Sequence, residues 1–178
     1  VLLHEGFWAE GIISLVGAKI DGNLECNYAV FHNPGGVALD AERARVDGNV
    51  FLCHGSWSRR SAPGEGPFAA DGEVKLVRAT IGGDLNCIGA EFRNPGESSA
   101  TADTSADLCA ISARGLRITG SVFMSEGFRA LGMVHLLGAR VGGNLEFNGG
   151  AFLDRNAVAL DAERVQVTGD VFFCSRWW

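Results

Sequence analysis

The residues with the most chemical capacity are two matched carboxylate pairs, Asp40/Glu42 and Asp161/Glu163, together with four histidines and five cysteines. Paired acids at a fixed separation cleave glycosidic bonds, one protonating the leaving oxygen while the other attacks or activates water. Here the pairs sit in two copies of one segment, and a third copy carries Ser112/Arg114 instead, so they read as solvated turn acids. A metal needs convergent ligands. His4 aligns with Cys53, next to His54, but Ser125 and Cys174 share that alignment, so His4, His32, His54 and His135 read as solvent-facing or turn residues. Cys26 and Cys87 occupy equivalent apolar positions and read as small buried hydrophobes. Cys53 and Cys174 fall at expected outward or turn positions, where a nearby positive charge such as His54 or Arg176 would activate a thiol. No catalytic, cofactor-binding or metal role is assigned to any residue.

What positions these groups is a sevenfold recurrence: Val1/Leu3, Leu24/Cys26, Val50/Leu52, Leu85/Cys87, Val122/Met124, Leu145/Phe147 and Val171/Phe173. After the first, each pair follows a glycine and one small polar residue: Gly22-Asn23, Gly48-Asn49, Gly83-Asp84, Gly120-Ser121, Gly143-Asn144 and Gly169-Asp170. Successive pairs are spaced 23, 26, 35, 37, 23 and 26 residues apart. Subtracting an alternating 23 and 26 leaves insertions of 12 and 11 residues, which fall within 58–70 and 97–107, segments rich in Gly, Pro, Ser, Thr and Ala. Apolar residues alternate over short stretches such as Ile13/Leu15, Ala18/Ile20 and Ala29/Phe31, and period two means strands. Short strands recurring at this interval predict an all-β, parallel β-helix (a β-solenoid) of about six coils, right-handed by expectation, forming a single domain over 1–178. Both ends interrupt a coil, so the chain is expected to be a piece of a longer one, with Trp177 and Trp178 at an end contact.

Stacking at about 4.8 Å per coil then predicts the columns. Ile20, Val46, Ile81, Ile118, Val141 and Val167 should point inward, beside Ala18, Ala44, Ala79, Leu116, Ala139 and Val165. Asn23, Asn49, Asp84, Ser121, Asn144 and Asp170 should form a polar ladder at a turn, where such side chains bond backbone and tolerate unusual φ/ψ. Lys19, Arg45, Thr80, Arg117, Arg140 and Gln166 should face outward, matched in part by Asp21 and Asp47; the face is also open to a weak anionic ligand. The outward column of the opening pair is Leu2, Glu25, Phe51, Asn86, Phe123, Glu146 and Phe172, an apolar stripe that water disfavours. Phe51, Phe123 and Phe172, with Glu25 and Glu146, are therefore the candidate interaction face. Its expected cover is either the 58–70 insertion, through Phe68 after Trp57, or a lateral partner.

Composition narrows the classes. A net charge of -6 opposes generic nucleic-acid binding, which depends on cationic side chains at phosphates. No apolar run reaches the roughly 18 residues of a membrane span. An odd number of cysteines without C-x-x-C spacing argues against a disulfide framework or zinc knuckle and for a reducing cytoplasm.

The pattern G-A-x-[IV]-x-G-[ND]-L-x-C, present at 17–26 and, with Arg78 in place of the glycine, at 78–87, resembles uncharacterised actinobacterial-type repeat proteins often labelled membrane-associated oxidoreductases. They are similar to pentapeptide-repeat proteins and, more loosely, to bactofilins. The resemblance implies a solenoid; the oxidoreductase label finds no G-x-G-x-x-G or haem-attachment motif here. The expected function is a non-enzymatic scaffold that binds protein partners or itself along a flat face, with no cofactor and no nucleic acid, in the cytoplasm or peripheral to a membrane. Two alternatives stand beside it: a carbohydrate-active or carbohydrate-binding β-helix using acids near Asp40 and Asp161, and a DNA-mimicking topoisomerase binder.

Overall fold

The computed structural model describes residues 1–3, 6–53, 66–94, 109–154 and 158–174. All regular structure among them is strand, and every pairing is parallel. Three sheets are visited in a fixed order on each circuit of the chain. The first holds Lys19–Ile20, Arg45–Val46, Thr80–Ile81, Arg117–Ile118, Arg140–Val141 and Gln166–Val167. The second holds Leu24–Glu25, Val50–Phe51, Leu85–Asn86, Val122–Phe123, Leu145–Glu146 and Val171–Phe172. The third, of ten strands, is built around Val30–Asp40 and Ala69–Lys75. An all-β chain of parallel sheets is thus the architecture.

Register follows the sequence arithmetic. Leu24 pairs with Val50, Val50 with Leu85, Leu85 with Val122, Val122 with Leu145 and Leu145 with Val171, so the 35- and 37-residue gaps keep the same partners as the 26- and 23-residue ones. The extra length of the two longer gaps therefore leaves the pairing of the strands on either side unchanged. The described residues begin again at Gly66, and Ala69 already opens a strand, so the end of the 58–70 segment belongs to the circuit rather than to the insertion. Residues 97–107 lie outside the described residues.

The inward columns form one core, in which Ile81, Leu85, Leu116 and Met124 are almost fully buried. A row of aromatic rings runs along it: Phe7, Phe31, Phe68, Phe92, Phe128 and Phe152, with successive centroids 6.1, 5.2, 5.4, 5.5 and 5.1 Å apart. Alternate circuits supply the ring differently, as Phe68-x-Ala70 and then Ala90-x-Phe92. Swapping large and small residues keeps the volume per level constant, which close packing demands. Phe68, expected as a lid over the outer stripe, is instead 0% exposed between Phe31 and Phe92.

The Gly-polar corner works by close approach. Asn23 Oδ1 accepts from the Asn49 N–H at 2.9 Å, Asn49 Oδ1 from Asp84 at 2.7 Å, and Asp84 Oδ1 from Ser121 at 2.7 Å. The Ser121 hydroxyl and Asn144 Oδ1 continue the ladder to Asn144 and Asp170, each at 3.0 Å. None of these glycines has positive φ, contrary to the expectation of unusual φ/ψ at this corner. The glycine is required because a Cβ at Gly83 would collide with Asn49 Oδ1 of the preceding circuit. Gly22 has nothing within 4 Å of the equivalent position, there being no ladder oxygen behind it. A different corner does need the left-handed region: Gly17, Arg43, Arg78, Gly115, Gly138 and Arg164 have φ from 55 to 66°.

Candidate interaction face

The outer column of the second sheet is the predicted one, residue for residue. Leu2 bridges Glu25, Glu25 pairs with Phe51, Phe51 with Asn86, Asn86 with Phe123, Phe123 with Glu146 and Glu146 with Phe172. Period-two alternation puts these side chains outside because Leu24, Val50, Leu85, Val122 and Leu145, beside them in the strands, are buried. Phe51, Phe123 and Phe172 are half-buried; Phe51 and Phe123 each lie between two polar neighbours, and Phe172, on the last strand, beside Glu146, so no two rings are adjacent in the column. That is a correction to the expected apolar stripe: Glu or Asn separates the rings, leaving a ribbon of alternating aromatic and acidic or amide groups with no cation in it. Asn23 Nδ2 donates to Glu25 Oε1 at 3.1 Å, which tethers one of the two acids. Trp177 and Trp178, the expected end contact, lie outside the described residues.

On the first sheet, Lys19, Arg45, Thr80, Arg117, Arg140 and Gln166 stand in register as predicted. Its charge balance changes along the stack. Lys19 meets Asp21 at 2.8 Å and Arg45 meets Asp47 at 2.7 Å. Two residues beyond Arg117 and Arg140 the sequence has Thr119 and Gly142 instead, and neither arginine has an ion-pair partner among the described residues. Like charges facing each other across adjacent strands destabilise a sheet, so this doublet is retained against a small cost.

The third sheet carries a polar row: Asp40, Lys75, Ser112, His135 and Asp161. Asp40 and Asp161 are four steps apart, about 19 Å at the usual strand spacing, much too far to serve one glycosidic bond. Both cap their own turns, accepting from the N–H of Glu42 at 3.0 Å and Glu163 at 2.9 Å. Ser112, His135 and Asp161 have the composition of a nucleophile–base–acid row, yet Ser112 is 1% exposed and closed to substrate. His135 Nε2 lies 3.1 Å from Asp161 Oδ2 without making a hydrogen bond to it. His135 is therefore buried, where a solvent-facing ring was expected. Burial pushes the Glu73 carboxyl above its usual range, opposed by Lys75 and Arg114 and reinforced by Asp40.

The remaining candidates resolve as structural. His32 Nδ1 is 3.2 Å from Asp71 Oδ2 and its ring stacks on Trp8. His4 and His54 lie outside the described residues. Cys53 is buried rather than outward; its Sγ donates to Asn27 Oδ1 at 2.9 Å, and burial pushes the thiol up to about 11. Burial raises Cys26 to about 12 and Cys87 well above the ordinary thiol range. Among the described residues no group of three or more His, Cys, Asp or Glu is placed to hold a metal ion, and no helix is long and apolar enough to cross a membrane.

Comparison with family models, curated proteins and solved structures finds no match. Sequence reasoning missed the Phe row and the buried His135. The first was legible in the alternating Phe-x-Ala and Ala-x-Phe order; nothing local marked the second.

Proposed function

We propose that the chain is a right-handed β-helical solenoid, of the kind resembled by pentapeptide-repeat proteins, that works as a non-enzymatic interaction scaffold. It binds a protein partner or a second copy of itself along the outer face of the second sheet, through Phe51, Phe123 and Phe172 with Glu25 and Glu146. Right-handedness rests on the strong bias of parallel crossover connections. The observation that carries the function is the register-locked, cation-free column in which half-buried rings recur on every second circuit. Aromatic side chains at regular spacing supply contact area with little entropy to lose, the property that makes Tyr, Trp and Phe frequent at interfaces. Five cysteines without a disulfide, three of them with raised pKa values, suit a reducing cytoplasm.

The triple change Phe51→Ser, Phe123→Ser and Phe172→Ser tests it. These side chains lie outside the core, so circular dichroism and the urea midpoint should stay near the parent's while association seen by light scattering is lost. An unchanged particle size in the folded variant would refute the reading.

A further inference from the structure

The outer columns of the first and second sheets are offset by a constant six residues: Lys19 to Glu25, Arg45 to Phe51, Thr80 to Asn86, Arg117 to Phe123, Arg140 to Glu146 and Gln166 to Phe172. Both columns have fixed register, so each such pair occupies one circuit and the same axial level. Level by level they are complementary. Lys19 is matched by Glu25 and Arg140 by Glu146, while Arg45 and Arg117 are matched by phenylalanine rings. Within one molecule these groups point away from different sheets. Two molecules standing side by side, with parallel axes and no axial shift, would bring them together.

We propose that the partner of the second-sheet face is the first-sheet face of another copy of this chain. The inference rests on the reading of the second sheet as an interaction surface and names what occupies it. Charge complementarity argues for it. One column has no acid within its strands and the other no cation, and among the described residues Arg117 and Arg140 have no ion pair where Lys19 and Arg45 have theirs. The contact centres on those two levels, with Arg140 against Glu146 as an ion pair and Arg117 over the Phe123 ring as a cation–π contact. Because different faces meet, the interface is heterologous; without axial shift, repetition generates a closed ring or a flat row rather than a rising filament. Each face spans five steps, about 24 Å, and is narrow, which places a single contact at the weak, concentration-dependent end of protein association.

Four proteins measured by light scattering and sedimentation over a range of concentrations test this: the parent chain, Arg140→Glu, Glu146→Arg and the doubly changed chain. Each single reversal sets like charges against each other and should weaken association about tenfold or more. The double change restores opposite charges with the order swapped and should return to within about threefold of the parent. High salt should weaken the parent in the same direction. Reversals without effect, a double variant no better than the singles, or a parent that stays monomeric at every concentration would overturn the inference. If the Phe→Ser triple variant dissociates while Arg140→Glu does not, the second-sheet face still binds but its partner is not this first-sheet face. If neither dissociates, both readings fail.

Discussion

Replacing Gly83 with Ala should be among the most damaging single-methyl additions in this chain, while the same change at Gly22, two circuits earlier in the same motif, should do nothing harmful. At Gly83 the new methyl would occupy the place of Asn49 Oδ1 and press on the Gly48 backbone, whereas at Gly22 it meets nothing within 4 Å. Asn49 must swing away, which breaks its 2.7 Å bond from the Asp84 N–H and leaves a half-buried donor without a partner. The lost bond costs about 1–3 kcal/mol and the overpacking about 1–3 kcal/mol more, so the expected destabilisation is about 2–6 kcal/mol. Gly22→Ala, at a backbone angle open to any residue, should be neutral or stabilising by up to about 1 kcal/mol through the unfolded state. Urea unfolding followed by circular dichroism gives both values. Truncating the obstacle with Asn49→Ala should make the Gly83 change cheaper, but only in part, since a Gly48 backbone atom still lies 3.1 Å from the new methyl. If Gly83→Ala and Gly22→Ala agree to within about 0.5 kcal/mol, the close-approach explanation of the motif is wrong.

Three further outcomes follow from the same geometry. Phe68→Ala should open a hole in the ring row and cost about 3–5 kcal/mol in urea unfolding, whereas a residue that merely covered the surface would cost far less. At Arg78, with φ of 55°, valine should destabilise by about 1–2 kcal/mol while glycine stays within about 0.5 kcal/mol of the parent, again by urea midpoint. Cys53 and Cys26 have folded pKa values of about 11 and about 12 against 9.0 unperturbed, so the folded state holds its thiol protons more tightly. Their contribution to stability should be complete below pH 9.0 and fade as pH rises through those folded values; Cys53→Ala should flatten that decline in unfolding measured across alkaline pH.

Most of the strand order was legible because a parallel stack repeats one local pattern, and repetition exposes which positions are equivalent. Leu24, Val50, Leu85, Val122 and Leu145 share a column because each begins the same Gly-polar-apolar segment, and the two insertions show up as excess length against that ruler. The outward column through Phe51, Phe123 and Phe172 follows from alternation alone. Burial of an outward residue does not. His135 is buried although its strand neighbours and spacing place it outside, and Cys53 turns in to meet Asn27 at a corner where period two no longer governs direction.

The sequence by itself determined which residues stack on which, since a repeat of 23 and 26 residues with one alternating period leaves a single register that buries every apolar column. Only the tertiary structure decided what each repeated residue is for. Gly83 is needed because the oxygen of Asn49, 34 residues earlier, sits where its Cβ would be, and Phe68 is core because Phe31 and Phe92 bracket it. Arg140 has no ion pair among the described residues because Gly142 occupies the position that Asp47 fills beside Arg45. Those are distances between circuits, and a one-dimensional pattern states which residues are equivalent without stating how closely they approach.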